Sequence, residues 1–126
     1  SAKDRFEYFK DENEKVTVLQ IEGQEGIDNI DDILTVDGID VLFIGPYDLS
    51  QSLGVPGEID NPLVEEKMLE IVDKCKGNNI TVGTFVDTPE NAVKWKRLGI
   101  KYISYSVDMG IFYEAMTDIV KTVANA

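Results

Sequence analysis

The sequence predicts an α/β fold of four parallel strand–helix units, and three observations predict it. Short apolar runs rich in β-branched residues alternate with amphipathic stretches. Most of the runs stop at glycine, proline or an acid, and two of the helical stretches open on a cap followed by proline. Strands that alternate with helices pair in parallel through right-handed crossovers.

Residues 3–14 are charged, with Phe6, Tyr8 and Phe9 among them, and read as the tail of a helix followed by a loop. The first strand is expected over Val16–Ile21 and ends at Glu22-Gly23. Ile27, Ile30, Ile33 and Leu34 then recur at helical spacing, with Asp28, Asp31 and Asp32 near the positive end of the helix dipole. Asp37-Gly38 reads as a turn, and a second strand over Ile39–Ile44 is broken by Gly45-Pro46. Asp48 to Leu53 predicts a turn or two of helix, and residues 54–61 a loop. Asn61 is placed to cap a long helix that starts at Pro62 and stops at Gly77-Asn78-Asn79. A third strand is expected over Ile80–Val86. Thr88 and Pro89 open the next helix, which carries Ala92, Val93 and Trp95 and ends near Leu98-Gly99. A fourth strand over Ile100–Val107 leads to a last amphipathic helix with Asp108 as its expected cap. Its apolar residues are Ile111, Phe112, Met116, Ile119, Val120 and Val123.

A chain of 126 residues with 43% apolar content can bury one core, so a single domain over residues 1–126 is expected. The net charge of −12 opposes a nucleic-acid or anionic-membrane surface, which needs clustered Lys and Arg, and suits a protein that tolerates or binds cations. No stretch approaches the roughly 18 apolar residues of a membrane span, and the N-terminus has no signal-peptide core, so cytoplasmic residence is the default expectation. The single cysteine, Cys75, falls within a helix and reads as a buried or half-buried spectator.

The chain has no histidine, so its chemistry must use carboxylates, backbone amides and hydroxyls. Glu22 and Asp48 each follow the C-terminal end of a predicted strand, where α/β folds place metal ions and oxyanions. Other readings stand beside this one. Glu22 would serve equally as a surface acid, Asp48 as a helix cap, and Gln20 as a packed strand residue. Ser50 and Ser52 have no basic partner and are not expected to be nucleophiles. Four units fit either a small open α/β domain or half of a (β/α)₈ barrel, which has about 250 residues.

Several motifs in order decide between these. QIEG at Gln20–Gly23, GIDNIDDIL, IDVLFIGPYDLSQSLG, a proline-headed long helix, TVGTF and a closing Val107-Asp108 together resemble the C-terminal half of the HpcH/HpaI aldolase family. They also resemble the wider group that includes citrate-lyase β-type enzymes. The resemblance covers the chain from about Tyr8 to its end and implies four units of a TIM (β/α)₈ barrel. It implies divalent-metal-dependent aldol cleavage or condensation of a 2-keto-3-deoxy acid, giving pyruvate and an aldehyde. It assigns Glu22 and Asp48 as ligands of Mg²⁺ or Mn²⁺, a hard ion that takes oxygen donors. The ion would act on the bound 2-oxo acid as a Lewis acid. Gln20 would line the floor of the site, and Gly45, Tyr47 and Asp48 would border the bound pyruvate-type acid with backbone amides at a helix start. Phe85 and Val107 would form apolar walls.

The chain departs from the family's pattern in lacking the acid–base histidine and the keto-polarising arginine, which the family carries in four preceding units. Arg5 and Arg97 match no motif, and Gly23 stands where threonine is common. The expectation is therefore a half-barrel that holds the metal ligands, has little aldolase activity alone and self-associates through open strand edges. Two alternatives remain. One is a non-catalytic α/β domain with an acidic cation site. The other is a receiver-like domain, which the Gln-Ile-Glu and Ser-Val-Asp strand ends disfavour.

Overall fold

The structure, a computed structural model, describes residues 15–126; the helix tail expected over residues 3–14 lies outside them. Strands β1 (Val18–Ile21), β2 (Val41–Ile44), β3 (Thr81–Val86) and β4 (Tyr102–Tyr105) form one sheet in that order, with every neighbouring pair parallel. The register places Gln20, Phe43, Gly83 and Tyr102 in one row across it. Among the described residues six helices connect and follow the strands: α1 (Gln24–Asp28), α2 (Ile30–Ile33), α3 (Pro46–Ser52), α4 (Pro62–Gly77), α5 (Pro89–Leu98) and α6 (Asp108–Ala124).

The predicted punctuation sets these boundaries. Asn61 Oδ1 accepts from the Leu63 amide at 3.0 Å and Pro62 starts α4. Thr88 Oγ1 accepts from the Asn91 amide at 3.2 Å and Pro89 starts α5. Both caps satisfy amides that a helix start leaves without partners. The expected strands are longer than those observed. Ile100 belongs to the exit of α5, where its amide donates to the Trp95 carbonyl at 3.0 Å and its side chain is buried. The helix expected through Ile27–Leu34 is broken at Asn29, whose side-chain amide takes the Glu25 carbonyl at 2.8 Å. The apolar spacing survives the break, because Ile27, Ile30 and Leu34 are all buried.

One face of the sheet carries Ile21, Leu42, Ile44, Val82 and Val86 into a core closed by Val64, Met68, Ile71 and Val72 of α4 and by Trp95 of α5. Cys75 is also in this core, and burial pushes its thiol up to about 11, in keeping with an inert side chain. On the other face Phe43 and Phe85 are half-buried, while Gln20 and Tyr102 are exposed. There the Phe43 and Tyr102 rings meet edge to face, with centroids 6.0 Å apart.

Gly83 makes that ring pair possible. A Cβ at Gly83 would lie 2.9 Å from the Phe43 ring, 2.8 Å from the Tyr102 ring and 3.1 Å from the Tyr102 carbonyl oxygen. The carbonyl belongs to the paired strand and cannot swing aside. Gly83→Ala is therefore expected to lower stability by about 1–3 kcal/mol through overpacking. A urea titration checks this, and an unchanged midpoint would refute it.

α6 differs from the other long helices. It buries no residue, and Phe112, Ile119 and Val123 are 69%, 56% and 71% exposed. Asp108 is its first helical residue rather than its cap. Val107 occupies the cap position, and the Asp108 carboxylate accepts from the Met109 amide at 2.8 Å. Among the described residues, no helix is long and apolar enough to cross a membrane.

Candidate active site

The C-terminal edge of the sheet is where the chain's polar strand ends meet. β1 delivers Gln20 on the open face and Glu22 directly after its last residue. The Gln20 side-chain amide donates to Glu22 Oε2. β2 ends beside them at Gly45, whose amide donates to the Ile21 carbonyl at 3.1 Å. The two strand ends approach so closely that a Cβ on Gly45 would lie 2.6 Å from Glu22 Oε2 and 3.0 Å from Gln20 Nε2.

Pro46 then opens α3 without any side-chain cap at Gly45, and Asp48 lies exposed in its first turn. Asp48 is therefore not the cap that its position after Gly45-Pro46 allowed. Gln20, Phe43, Gly45, Pro46, Tyr47, Asp48 and Phe85 line an open pocket of about 300 Å³. Five of the residues singled out from the sequence thus line one cavity (Gln20, Gly45, Tyr47, Asp48 and Phe85), with Glu22 against its Gly45 side.

Val107 is placed elsewhere. β4 ends at Tyr105, and Ser106 turns the chain with a positive φ of 49°. This carries Val107 to the start of α6, where it is 58% exposed beside Met109 and Phe112.

Asp87 was not singled out from the sequence as a site residue. It follows the last residue of β3 as Glu22 follows that of β1. The Tyr47 hydroxyl donates to Asp87 Oδ2, and the Tyr47 ring lies 6.2 Å from that of Phe85. The hydrogen bond to Asp87, followed by burial and the charges of Asp87 and Asp60, pushes the phenol up to about 12, so it keeps its proton. An acid directly after a strand was the signal; its partner forty residues away was not legible.

The two serines hold the frame. Ser50 Oγ donates to the Tyr47 carbonyl at 2.6 Å and accepts from the Gly57 amide at 2.9 Å. Ser52 Oγ accepts from the Gln24 amide at 2.8 Å, tying the end of α3 to the loop that carries Glu22.

A parallel sheet with covering helices on one face and carboxylates gathered at its C-terminal edge defines an α/β protein of the (β/α)-barrel type, with its site at the strand ends. The chain belongs to the HpcH/HpaI aldolase/citrate lyase family, whose sequence model matches residues 3–115. It is 32% identical over 110 residues to a 5-keto-4-deoxy-D-glucarate aldolase of Enterobacter sp. (strain 638), a match covering 86% of this chain and 43% of the relative. Its fold is similar to the crystal structure of a family protein from Burkholderia cenocepacia J2315. That match has a TM-score of 0.84 and 30% identity, over 86% of this chain and 42% of the other. An HpcH/HpaI aldolase from Desulfitobacterium hafniense DCB-2 gives a TM-score of 0.83 and 25% identity, over all of this chain and 49% of the other. The chain thus spans about half the length of the relatives it matches.

Proposed function

We propose that this chain carries the metal-binding half of an aldolase site. In this reading Glu22 and Asp48 hold Mg²⁺ or Mn²⁺ beside a pyruvate-type 2-oxo acid, and the whole enzyme cleaves or forms a carbon–carbon bond of a 2-keto-3-deoxy acid, giving pyruvate and an aldehyde. The observation that carries it is the convergence of Gln20, Glu22, Gly45 and Asp48 at one pocket on the C-terminal edge.

The donor set fits such an ion. Among the described residues no group of three or more His, Cys, Asp or Glu could hold a metal. Mg²⁺, however, is commonly bound through one or two carboxylates and keeps several waters. The bare Gly45 leaves room for the Glu22 carboxylate, and Gln20 fixes that carboxylate by donating to one of its oxygens, as outer hydrogen bonds orient metal ligands. When bound, the ion supplies Lewis-acid polarisation of the 2-oxo group. The amides of Tyr47 and Asp48, at a helix start without a side-chain cap, would bind the substrate carboxylate, and Phe43, Tyr47 and Phe85 would form one wall around it.

No histidine is present to move the proton of the aldol step. General acid–base help is worth about 10²–10⁴-fold, so the chain alone has little aldolase activity. The net charge of −12 supports a chain without a nucleic-acid or anionic-membrane surface. The exposed apolar stripe of α6 supports a homo-oligomer.

Calorimetric titration of Mn²⁺, with and without pyruvate, tests the site. Pyruvate is expected to strengthen Mn²⁺ binding, and Glu22→Ala with Asp48→Ala to abolish it. Equal Mn²⁺ binding by both proteins would leave an acidic α/β domain without an aldolase site.

A further inference from the structure

The N-terminal edge of the sheet, opposite the carboxylates, gathers positive charge in a chain whose net charge is −12. Two adjoining cavities open there, where β3 and β4 begin. The smaller, of about 150 Å³, has Lys76, Asn79, Thr81, Gly99 and Lys101 in its lining. The larger, of about 540 Å³, shares Gly99 and Lys101 and adds Lys96, Ile100 and Ile103. Gly99 brings the lysines together. A Cβ at Gly99 would lie 2.9 Å from Lys76 Cε and 3.4 Å from Lys76 Nζ. The Lys76 ammonium therefore reaches from α4 across to Gly99 at the approach to β4.

Helix ends account for part of this charge. Basic residues in the last turns of α4 and α5 offset roughly half a negative charge at each end. Lys74 already serves α4 and pairs with Asp31 at 2.6 Å. Lys76 pairs with Asp73 at 3.0 Å, an exposed pair of the kind that contributes little. Lys101 belongs to neither helix. Among the described residues Lys96 and Lys101 have no acid partner, and the Asn79 side chain and Thr81 hydroxyl have no hydrogen-bond partner. Asp40, at the start of the next strand, accepts from the Thr17 amide at 2.8 Å. Three lysines thus outweigh Asp73 and the two helix ends, and Arg97 in the last turn of α5 adds to them.

We propose that this cleft binds a small phosphate monoester, its phosphate between Lys76 and Lys101 and its carbon body beside Ile103. A phosphate carries about −1.5 to −2 charge and three strong acceptor oxygens. Two ammonium groups, an amide and a hydroxyl are donors that suit it, and bonds to ionised groups are the strong ones. A carboxylate brings one charge and two oxygens, and leaves donors over. The larger cavity has room for an organic body against the half-buried Ile103. A long polyanion is repelled by the rest of the chain, whereas a small anion is screened from acids more than about 10 Å away. The site needs no metal, so it stands or falls apart from the carboxylate pocket.

The test titrates phenyl phosphate, inorganic phosphate and benzoate into the metal-free chain and follows its backbone amide NMR shifts. Phenyl phosphate is expected to give saturable shifts at Asn79, Gly99 and Lys101. It should bind about fivefold tighter than inorganic phosphate, which lacks the carbon body, and about tenfold tighter than benzoate. Lys76→Gln with Lys101→Gln is expected to weaken it at least about tenfold, and Lys121→Gln, on α6, to leave it unchanged. Shifts that never saturate, or that spread over lysines elsewhere on the surface, would overturn the inference and leave counterion pairing. Benzoate or inorganic phosphate binding as tightly as phenyl phosphate would overturn the monoester assignment. An unchanged affinity in the double variant would overturn the site. Both substituted lysines are exposed, and the three probes decide the matter on the wild type alone.

Discussion

Gly45→Ala is expected to leave the fold almost untouched and to weaken Mn²⁺–pyruvate binding by about a hundredfold. Gly45 has φ −87° and ψ 96°, a conformation open to any L-residue, so the substitution carries no backbone strain. Its whole effect is steric. The new methyl would sit 2.6 Å from Glu22 Oε2 and 3.1 Å from Glu22 Cβ. The cheapest relief is rotation of the Glu22 side chain, which is only half-buried and belongs to no packed core. Rotation breaks the bond from Gln20 and moves the carboxylate away from the first turn of α3. A misplacement of about 1 Å is enough to cost on the order of 10²-fold at a site whose geometry does the work. Thermal melts and Mn²⁺ titrations of the same protein separate the two effects. Unchanged binding would show that Glu22 is not held at the metal by Gly45. A large fall in melting temperature would assign Gly45 to stability instead.

The contrast with Gly83 shows what a sequence can and cannot say about a glycine. Both follow apolar strand residues; Gly45 was read as the break after a strand, and Gly83 lay unremarked inside one. Only the register shows that one faces a flexible carboxylate and the other a fixed carbonyl. Caps were legible because Asn61-Pro62 and Thr88-Pro89 carry their meaning within three residues. The pocket was legible for a related reason. Gln20 is two residues before Glu22, Gly45 to Asp48 are contiguous, and parallel strands bring successive C-terminal ends together.

Features that depend on distant or unusual backbone were not legible. Asn29 splits an otherwise regular apolar spacing by using its own side chain on a carbonyl. Ser106 adopts a positive φ that composition does not announce, and so Val107 leaves the strand line that was expected to carry it to the pocket. Tyr47 and Asp87 occupy motifs read separately, and only the β2–β3 pairing makes them neighbours. The amphipathic pattern of α6 was read correctly as a helix, but a pattern does not say which molecule covers it.

That last point yields the other large expected effect: Phe112→Glu combined with Ile119→Glu converts an associated chain into a monomer. The two side chains are seven residues apart, so they share one face of α6, and they are 69% and 56% exposed. Met116 and Val123 continue the same stripe, at 44% and 71%. A 17-residue helix that buries nothing is marginal in water, and the Ile, Val and Thr residues of α6 lower its propensity further. Its helicity therefore calls for a covering surface, which in the proposed homo-oligomer would be a second copy with the same stripe. Covering a large apolar side chain is worth about 1.5–3 kcal/mol. Replacing two by glutamate is expected to weaken association by at least about a hundredfold. The net charge of −12 per chain opposes pairing, so association is also expected to strengthen as salt screens it. Sedimentation at two salt concentrations, with circular dichroism at each, decides the matter. The wild type should sediment as a dimer or larger species, and the variant as a monomer with reduced helix content. A wild-type monomer that keeps α6 helical would sink the idea. It would mean that the helix persists with its stripe in water, against the energetics that make every other buried stripe in this fold face the core.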